Sequence, residues 1–255
     1  MMTHPIHFVG AGPGDPELIT VKGRRLLRQA DIIVYTGSLV PKALLDETKA
    51  KVHDSAGLNL DQVIDILTQG WEKGLRVVRL HTGDPAIYGA INEQLAILRS
   101  RQIPCHIIPG VSSATAAAAA LGTELTLPEV SQTVIITRRE GRTPVPAKEG
   151  LTHLATHGAT MLILLSISMI DEVVKDLLDG GYEESTPVAV VEKVSWPEER
   201  RILGNLGNIG EKVHQAGIRK TAIIVVGKVL DSNPLEKPSK LYDRGFSHEY
   251  RQGEK

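Results

Sequence analysis

Three glycine-rich turns, each set between an apolar run and a helical pattern, constrain this chain more than any other feature. The first is Gly10-Ala11-Gly12-Pro13-Gly14-Asp15-Pro16, directly after the apolar residues 6–9. The second is His81-Thr82-Gly83-Asp84-Pro85, after residues 75–80. The third is Pro109-Gly110-Val111-Ser112-Ser113, after residues 103–108. Short β-branched apolar runs bounded by glycine and proline predict buried strands, and the segments that follow them have helical spacing. Strands alternating with helices across short loops imply a mainly parallel sheet covered on both faces. Small ligands bind beyond the carboxyl ends of such strands. Three glycine turns at one sheet edge therefore predict a small-molecule cleft.

The remaining pattern extends this reading to a two-domain α/β fold. Helices are predicted over residues 20–29, 41–45, 91–98 and 111–121, with a strand over 31–35. Leu60, Val63, Ile64 and Leu67 recur at helical spacing, with Asn59 or Asp61 near the cap. Residues 122–130, with Gly122 and Pro128, break the alternation, and the domain junction is placed there. The expected division is a first domain over 1–124, a second over 125–231 and a polar, loosely ordered tail over 232–255. In the second domain, strands are expected over 132–137, 161–165, 188–191 and 221–226. Helices are expected there over 148–157, 169–178 and 209–216, with 197–201 a hairpin or loop.

The turns exclude two common phosphate-binding designs. A dinucleotide fold needs G-x-G-x-x-G, whereas this chain has G-x-G-x-G, and Pro13 removes a backbone donor from the loop. The second strand ends at Val34-Tyr35 without an acidic residue for a ribose. No G-K-[S/T] follows any of the glycines, so a P-loop is excluded too. In the second turn, Asp84 either orients a ligand's polar group or caps the following helix. His81 is either a base or a structural residue. Ser112 or Ser113 fits a helix cap first, and a ligand contact in addition.

Charge and composition narrow the partners. Lysine and arginine number 29 against 30 acidic residues, a balance unlike that of a backbone-wrapping nucleic-acid binder. Aromatic residues are 4%, too few for an extended base-stacking platform. The apolar run 161–165 is far short of a bilayer span, so no membrane partner is expected. The start of the chain lacks a secretory pattern. A single cysteine, Cys105, cannot form an internal disulfide, which points to the cytoplasm. Nine histidines are present without HExxH or paired CxxC spacing, so no metal site is expected.

The turns also carry a family resemblance. GAGPGDPELITVKG from Gly10, HTGDPAIYG from His81 and PGVSS from Pro109 stand in the order found in the tetrapyrrole (corrin/porphyrin) methylase family, which the chain resembles over about residues 4 to 230. YTGSLV from Tyr35, SQTVIITRREGRTPVP from Ser131 and WPEE from Trp196 most resemble members that methylate C11 of precorrin-4 or cobalt-precorrin-4. Members acting at another precorrin carbon, or on uroporphyrinogen III, are the nearest alternative. The resemblance implies S-adenosyl-methionine as methyl donor, bound in a cleft between two α/β domains, and a homodimer. It places cofactor contacts on Pro13, Thr82, Gly83, Asp84, Ile87, Ser112 and Ser113. From the second half it adds Ser166, where several relatives have methionine, together with Ala189 and Val194. The first glycine turn, with Gly12 and Asp15, would line the tetrapyrrole trough, and Tyr88 would help shape it.

Methyl transfer to a ring carbon needs accurate placement more than a protein nucleophile. His81 and Asp84 are accordingly only weak candidates for a catalytic role. A precorrin carries many carboxylates, and arginine binds carboxylates in paired geometry. Arg138, Arg139 and Arg142 are therefore the expected substrate-binding cations.

Overall fold

The computed structural model describes residues 4–231 and 239–253. The chain divides into two compact units. One comprises Met1–Ala116 with Val194–Glu198, the other Ala117–Lys193 with Glu199–Lys255. The junction expected at 124–125 lies eight residues beyond the division at Ala116–Ala117, and five residues of the second half join the first unit.

The first unit is built on five strands, β1 (Ile6–Gly10), β2 (Ile32–Tyr35), β3 (Lys51–Asp54), β4 (Val77–His81) and β5 (Cys105–Ile108). They pair in the order β3-β2-β4-β1-β5, all parallel. The connecting helices are α1 (Val21–Gln29), α2 (Lys42–Asp46), α3 (Leu60–Glu72) and α4 (Asn92–Ser100), with α5 (Ser113–Leu121) leading out. Local chemistry sets their starts. Thr20 accepts from Gly23 N–H to cap α1, and Asn59 and Gln62 form a reciprocal capping box at α3.

Side-chain alternation sends successive strand residues to opposite faces. Phe8, Val34 and Val77 pack under α3 and α4 with Leu67, Leu95 and Leu98. Val9, Ile33, Val78 and Leu80 pack under α1 and α2 with Leu27 and Leu44. The chain leaving β1 thus turns to one face, and the chain leaving the neighbouring β4 turns to the other. That divergence between adjacent strands opens a crevice at their carboxyl ends, the usual ligand position in open α/β sheets.

The second unit has β6 (Val134–Arg138), β7 (Thr160–Leu164), β8 (Pro187–Glu192), β9 (Arg200–Asn205) and β10 (Ala222–Val226), in the order β6-β7-β10-β8-β9. Only β6 and β7 are parallel. β10 runs antiparallel to both its neighbours, and β8 and β9 form a hairpin. The mainly parallel sheet expected from the alternation therefore holds for the first unit and not for the second, where a hairpin replaces a helical crossover. Helices α6 (Leu151–Ala155), α7 (Ile170–Asp179) and α8 (Ile209–Gln215) cover one face. There Met161, Ile163, Val190 and Ile224 meet Leu151, Val173, Leu177 and Val213. The helix expected over 148–157 is shorter, a 3-10 turn at Ala147–Glu149 followed by α6. β3 is not among the expected elements, and β9 begins within the stretch expected as a hairpin or loop over 197–201, which here is the β8–β9 hairpin.

Within the tail expected to be loosely ordered, residues 232–238 and 254–255 lie outside the described residues. In the described part, Arg251 donates to the carbonyls of Leu241 at 2.8 Å and Asp243 at 2.6 Å. Among the described residues no helix is long and apolar enough to cross a membrane.

Candidate active site

The three glycine turns meet at the carboxyl edge of the first sheet. Ala11 N–H donates to the His81 carbonyl at 2.7 Å. Gly12 and Gly83 exchange bonds of 3.3 and 2.8 Å, an isolated antiparallel bridge between two parallel strands' turns. A methyl group added at Gly10 would run into the Gly83 carbonyl and the Gly110 backbone, and one at Gly110 would run into the Gly83 carbonyl and the Gly10 backbone. Glycine is required there because three main chains cross. Gly83 differs. Its φ of +58° favours glycine, yet an added Cβ would meet nothing nearer than 4.0 Å. The turn is open on that side.

Asp84 links the second turn to the third. Its carboxylate accepts from Ala86 N–H at 2.7 Å and from Gly110 N–H at 3.0 Å. It does not cap the next helix, because α4 begins at Asn92 with Ile91 in the cap position. Thr82 and Ile87 lie half-buried along the same turn. Tyr88 is 47% exposed. Tyr88 and Ala90 hold left-handed φ values of 52° and 49°. Such strain collects at functional sites. In the third turn, Ser112 Oγ accepts from Ala114 N–H at 3.2 Å, and Ser113 opens α5. In the first turn, Pro13 is buried and Asp15 accepts from Glu17 N–H at 2.8 Å. The first unit thus gathers Gly12, Pro13, Asp15, Thr82, Gly83, Asp84, Ile87, Ser112 and Ser113 at one sheet edge. The buried Val194 belongs to this unit as well.

His81 lies beneath this edge. It is 2% exposed, is stacked on Phe8 at 5.9 Å between ring centres, and has no partner for Nε2 among the described residues. Burial, assisted by the nearby Arg79 charge, pushes its pKa down to about 3. An imidazole so hard to protonate is a poor general base near neutral pH. Arg79, itself buried, donates to Gln94 Oε1 at 3.2 Å and to the Val34 carbonyl at 3.1 Å.

In the second unit the arginine trio divides. Arg138 donates to the carbonyls of Thr143 at 3.1 Å and Pro144 at 2.7 Å, stapling its own loop. Arg139 pairs with Asp176 on α7 at 2.6 Å. Arg142 alone is exposed with no partner seen among the described residues. Ser166 is buried, with Oγ accepting from Arg139 N–H at 2.9 Å and donating to the Leu164 carbonyl at 2.7 Å. Its hydroxyl is thereby committed within the protein. Ala189 is buried in mid-strand opposite Leu203 and Val225.

Two residues at the first turn escaped residue-by-residue reasoning. Trp196 Nε1 donates to the Pro13 carbonyl at 2.9 Å, and Asp15 N–H donates to Ser195 Oγ at 2.9 Å. The WPEE string is a sequence signal for Trp196 and not for Ser195, which precedes it. No group of three or more metal-ligating side chains is found among the described residues.

The family model for Tetrapyrrole (Corrin/Porphyrin) Methylases matches residues 5–210. A cobalt-precorrin-4 C(11)-methyltransferase of Methanocaldococcus jannaschii is 57% identical over 250 residues, covering 97% of this chain and 96% of the relative. The X-ray structure of a cobalamin biosynthetic enzyme, cobalt precorrin-4 methyltransferase, superposes with a TM-score of 0.88 at 45% identity, over 89% of this chain and 96% of that one. A uroporphyrin-III C-methyl transferase from Thermus thermophilus, complexed with S-adenyl homocysteine, gives a TM-score of 0.74 at 27% identity, over 89% and 93% of the two chains. Because the match runs through all three glycine turns and into both sheets, with relatives aligned nearly end to end, this chain belongs to the tetrapyrrole (corrin/porphyrin) methylase family.

Proposed function

We propose that this chain is an S-adenosyl-methionine-dependent methyltransferase that methylates C11 of precorrin-4 or cobalt-precorrin-4 in cobalamin biosynthesis. The observation that carries the reading is the near full-length likeness to cobalt-precorrin-4 C(11)-methyltransferases in both sequence and fold. When bound, the methyl donor supplies an electrophilic sulfonium methyl group, and the ring carbon of the tetrapyrrole supplies the electrons. The protein's task is to position the two and keep water out. Gly83 leaves room for a ligand at the crevice, and the Thr82, Ser112 and Ser113 side chains supply hydroxyls at the same edge. Pro13, Asp84, Ile87, Ala189 and Val194 are the further cofactor contacts proposed, with Ser166 acting through its backbone because its hydroxyl is engaged. Gly12, Asp15, Tyr88 and Arg142 are proposed to face the tetrapyrrole.

A homodimer working in the cytoplasm completes the proposal. The lone Cys105 supports a reducing compartment, and burial pushes its thiol pKa up, which keeps it unreactive. The deciding experiment incubates the protein and methyl donor with precorrin-4, cobalt-precorrin-4 and uroporphyrinogen III in parallel. The expected product gains one methyl group, placed at C11 by NMR, from one of the first two. Turnover of uroporphyrinogen III alone would overturn the assignment.

A further inference from the structure

The first glycine turn has few backbone groups left to offer a ligand. Gly12 spends its N–H and carbonyl on Gly83. Pro13 has no N–H, and its carbonyl accepts from Trp196. Asp15 gives its N–H to Ser195 Oγ and its carbonyl to Leu18 N–H, at 2.9 and 3.0 Å. Gly14 is the one residue of the four for whose backbone no bond is seen among the described residues. There the indole of Trp196 closes in: a methyl group on Gly14 would run into its Cδ1 and Nε1. Two tethers and a ring contact therefore reach this turn from one pentapeptide, Val194–Glu198, at the tip of the β8–β9 hairpin.

That pentapeptide is itself held in a costly shape. Ser195 has φ +64°, and Lys193 just before it has φ +46°. Non-glycine residues adopt left-handed backbone at a cost and persist there only where surrounding contacts fix them. A turn with glycine at Gly12 and Gly14 is otherwise loose, and a ligand would have to order it on binding. Ordering it beforehand removes that cost from the binding step.

We infer that Trp196 is a positioning residue: its indole N–H and ring, together with the Ser195 hydroxyl, clamp the Gly12–Asp15 turn in its ligand-ready shape. The inference rests on the methyltransferase reading only for the ligand used to test it. Plain packing by Trp196 would need the ring and not the N–H, so Trp196→Phe separates the two roles. Each variant is read at the other tether, Trp196→Phe at the Asp15 amide and Ser195→Ala at the Trp196 indole N–H.

The experiment combines hydrogen exchange by NMR, calorimetric titration with S-adenosyl-homocysteine and thermal melting on the full chain. In both variants the reporter proton should exchange faster, and Kd should rise about fivefold to tenfold, as for losing one hydrogen bond. Melting should stay near wild type. The chain has two tryptophans, so in a Trp71→Phe background Trp196 emission should shift when ligand is added. Unchanged exchange and unchanged Kd in Trp196→Phe would reduce the indole to packing and overturn the inference. If Trp196→Phe melts far below wild type, Ser195→Ala decides by the same two readouts. If wild type binds no S-adenosyl-homocysteine, the methyltransferase reading fails, and exchange at the two tethers alone judges the clamp.

Discussion

Gly10 and Gly83 are both glycines of the crossing, yet they are needed for different reasons, and substitution should tell them apart. Gly83→Ala meets no protein atom nearer than 4.0 Å but must hold φ near +58°, which costs about 1–2 kcal/mol. The variant should fold, melt somewhat lower and lose affinity for S-adenosyl-homocysteine, with Gly83→Val worse on both counts because its branched side chain is larger. Wild-type affinity in calorimetry would remove Gly83 from the site. Gly10→Ala instead drives a methyl into two backbones and should fail to yield soluble folded protein. His81 makes a prediction about pH. Its folded pKa is about 3, below the ordinary 6.5. As pH falls below 6.5 the unfolded chain takes up a proton that the folded chain refuses, so the stability present above that pH drains away toward pH 3. Relative to His81→Phe, wild type should therefore lose about 2 kcal/mol between about pH 7 and pH 5 in urea unfolding. Parallel slopes would mean that His81 titrates freely in the fold.

The β6–α7 region shows why three neighbouring arginines are not one cluster. Arg139 is tied to Asp176 by a half-buried ion pair, so Arg139→Ala should lower unit stability by about 1 kcal/mol and leave ligand affinities alone. Arg142→Ala should leave stability unchanged and raise KM with the tetrapyrrole varied, without moving KM for the methyl donor. An equal rise for both substrates would refute a carboxylate-binding role. The same scale shows what could be read ahead of the structure. α3 was legible because its apolar spacing and its cap lie within one stretch of chain. β3 and β9 were not, because Lys51-Val52-His53-Asp54 and the Arg200-Arg201 start are largely exposed edge-strand sequence that shows no apolar alternation. An edge strand is defined by the neighbour it pairs with. Glycine spacing announced that backbones approach closely at Gly10, Gly83 and Gly110, but not which of them touch. The Trp196 and Ser195 tethers join residues 183 and 180 positions apart, and no local pattern encodes such a contact.

For the whole molecule, the proposed homodimer predicts a sedimentation mass of two chains of 27.6 kDa each, and a single-chain mass at micromolar concentration would count against it. The partition of the chain also carries a consequence for how the protein is made. The first unit includes Val194–Glu198, yet its main body ends at Ala116. On the ribosome, all three glycine turns emerge well before the residues that hold the first of them. At about 5–20 residues per second, roughly 80 further residues take about 4–16 s to synthesise. For that interval the nascent chain owns every glycine of the crevice and none of the clamp. A fragment ending at Ala116 would lack both tethers in the same way, and by the clamp inference the first turn would be looser and its hold on the methyl donor weaker until translation has passed Trp196.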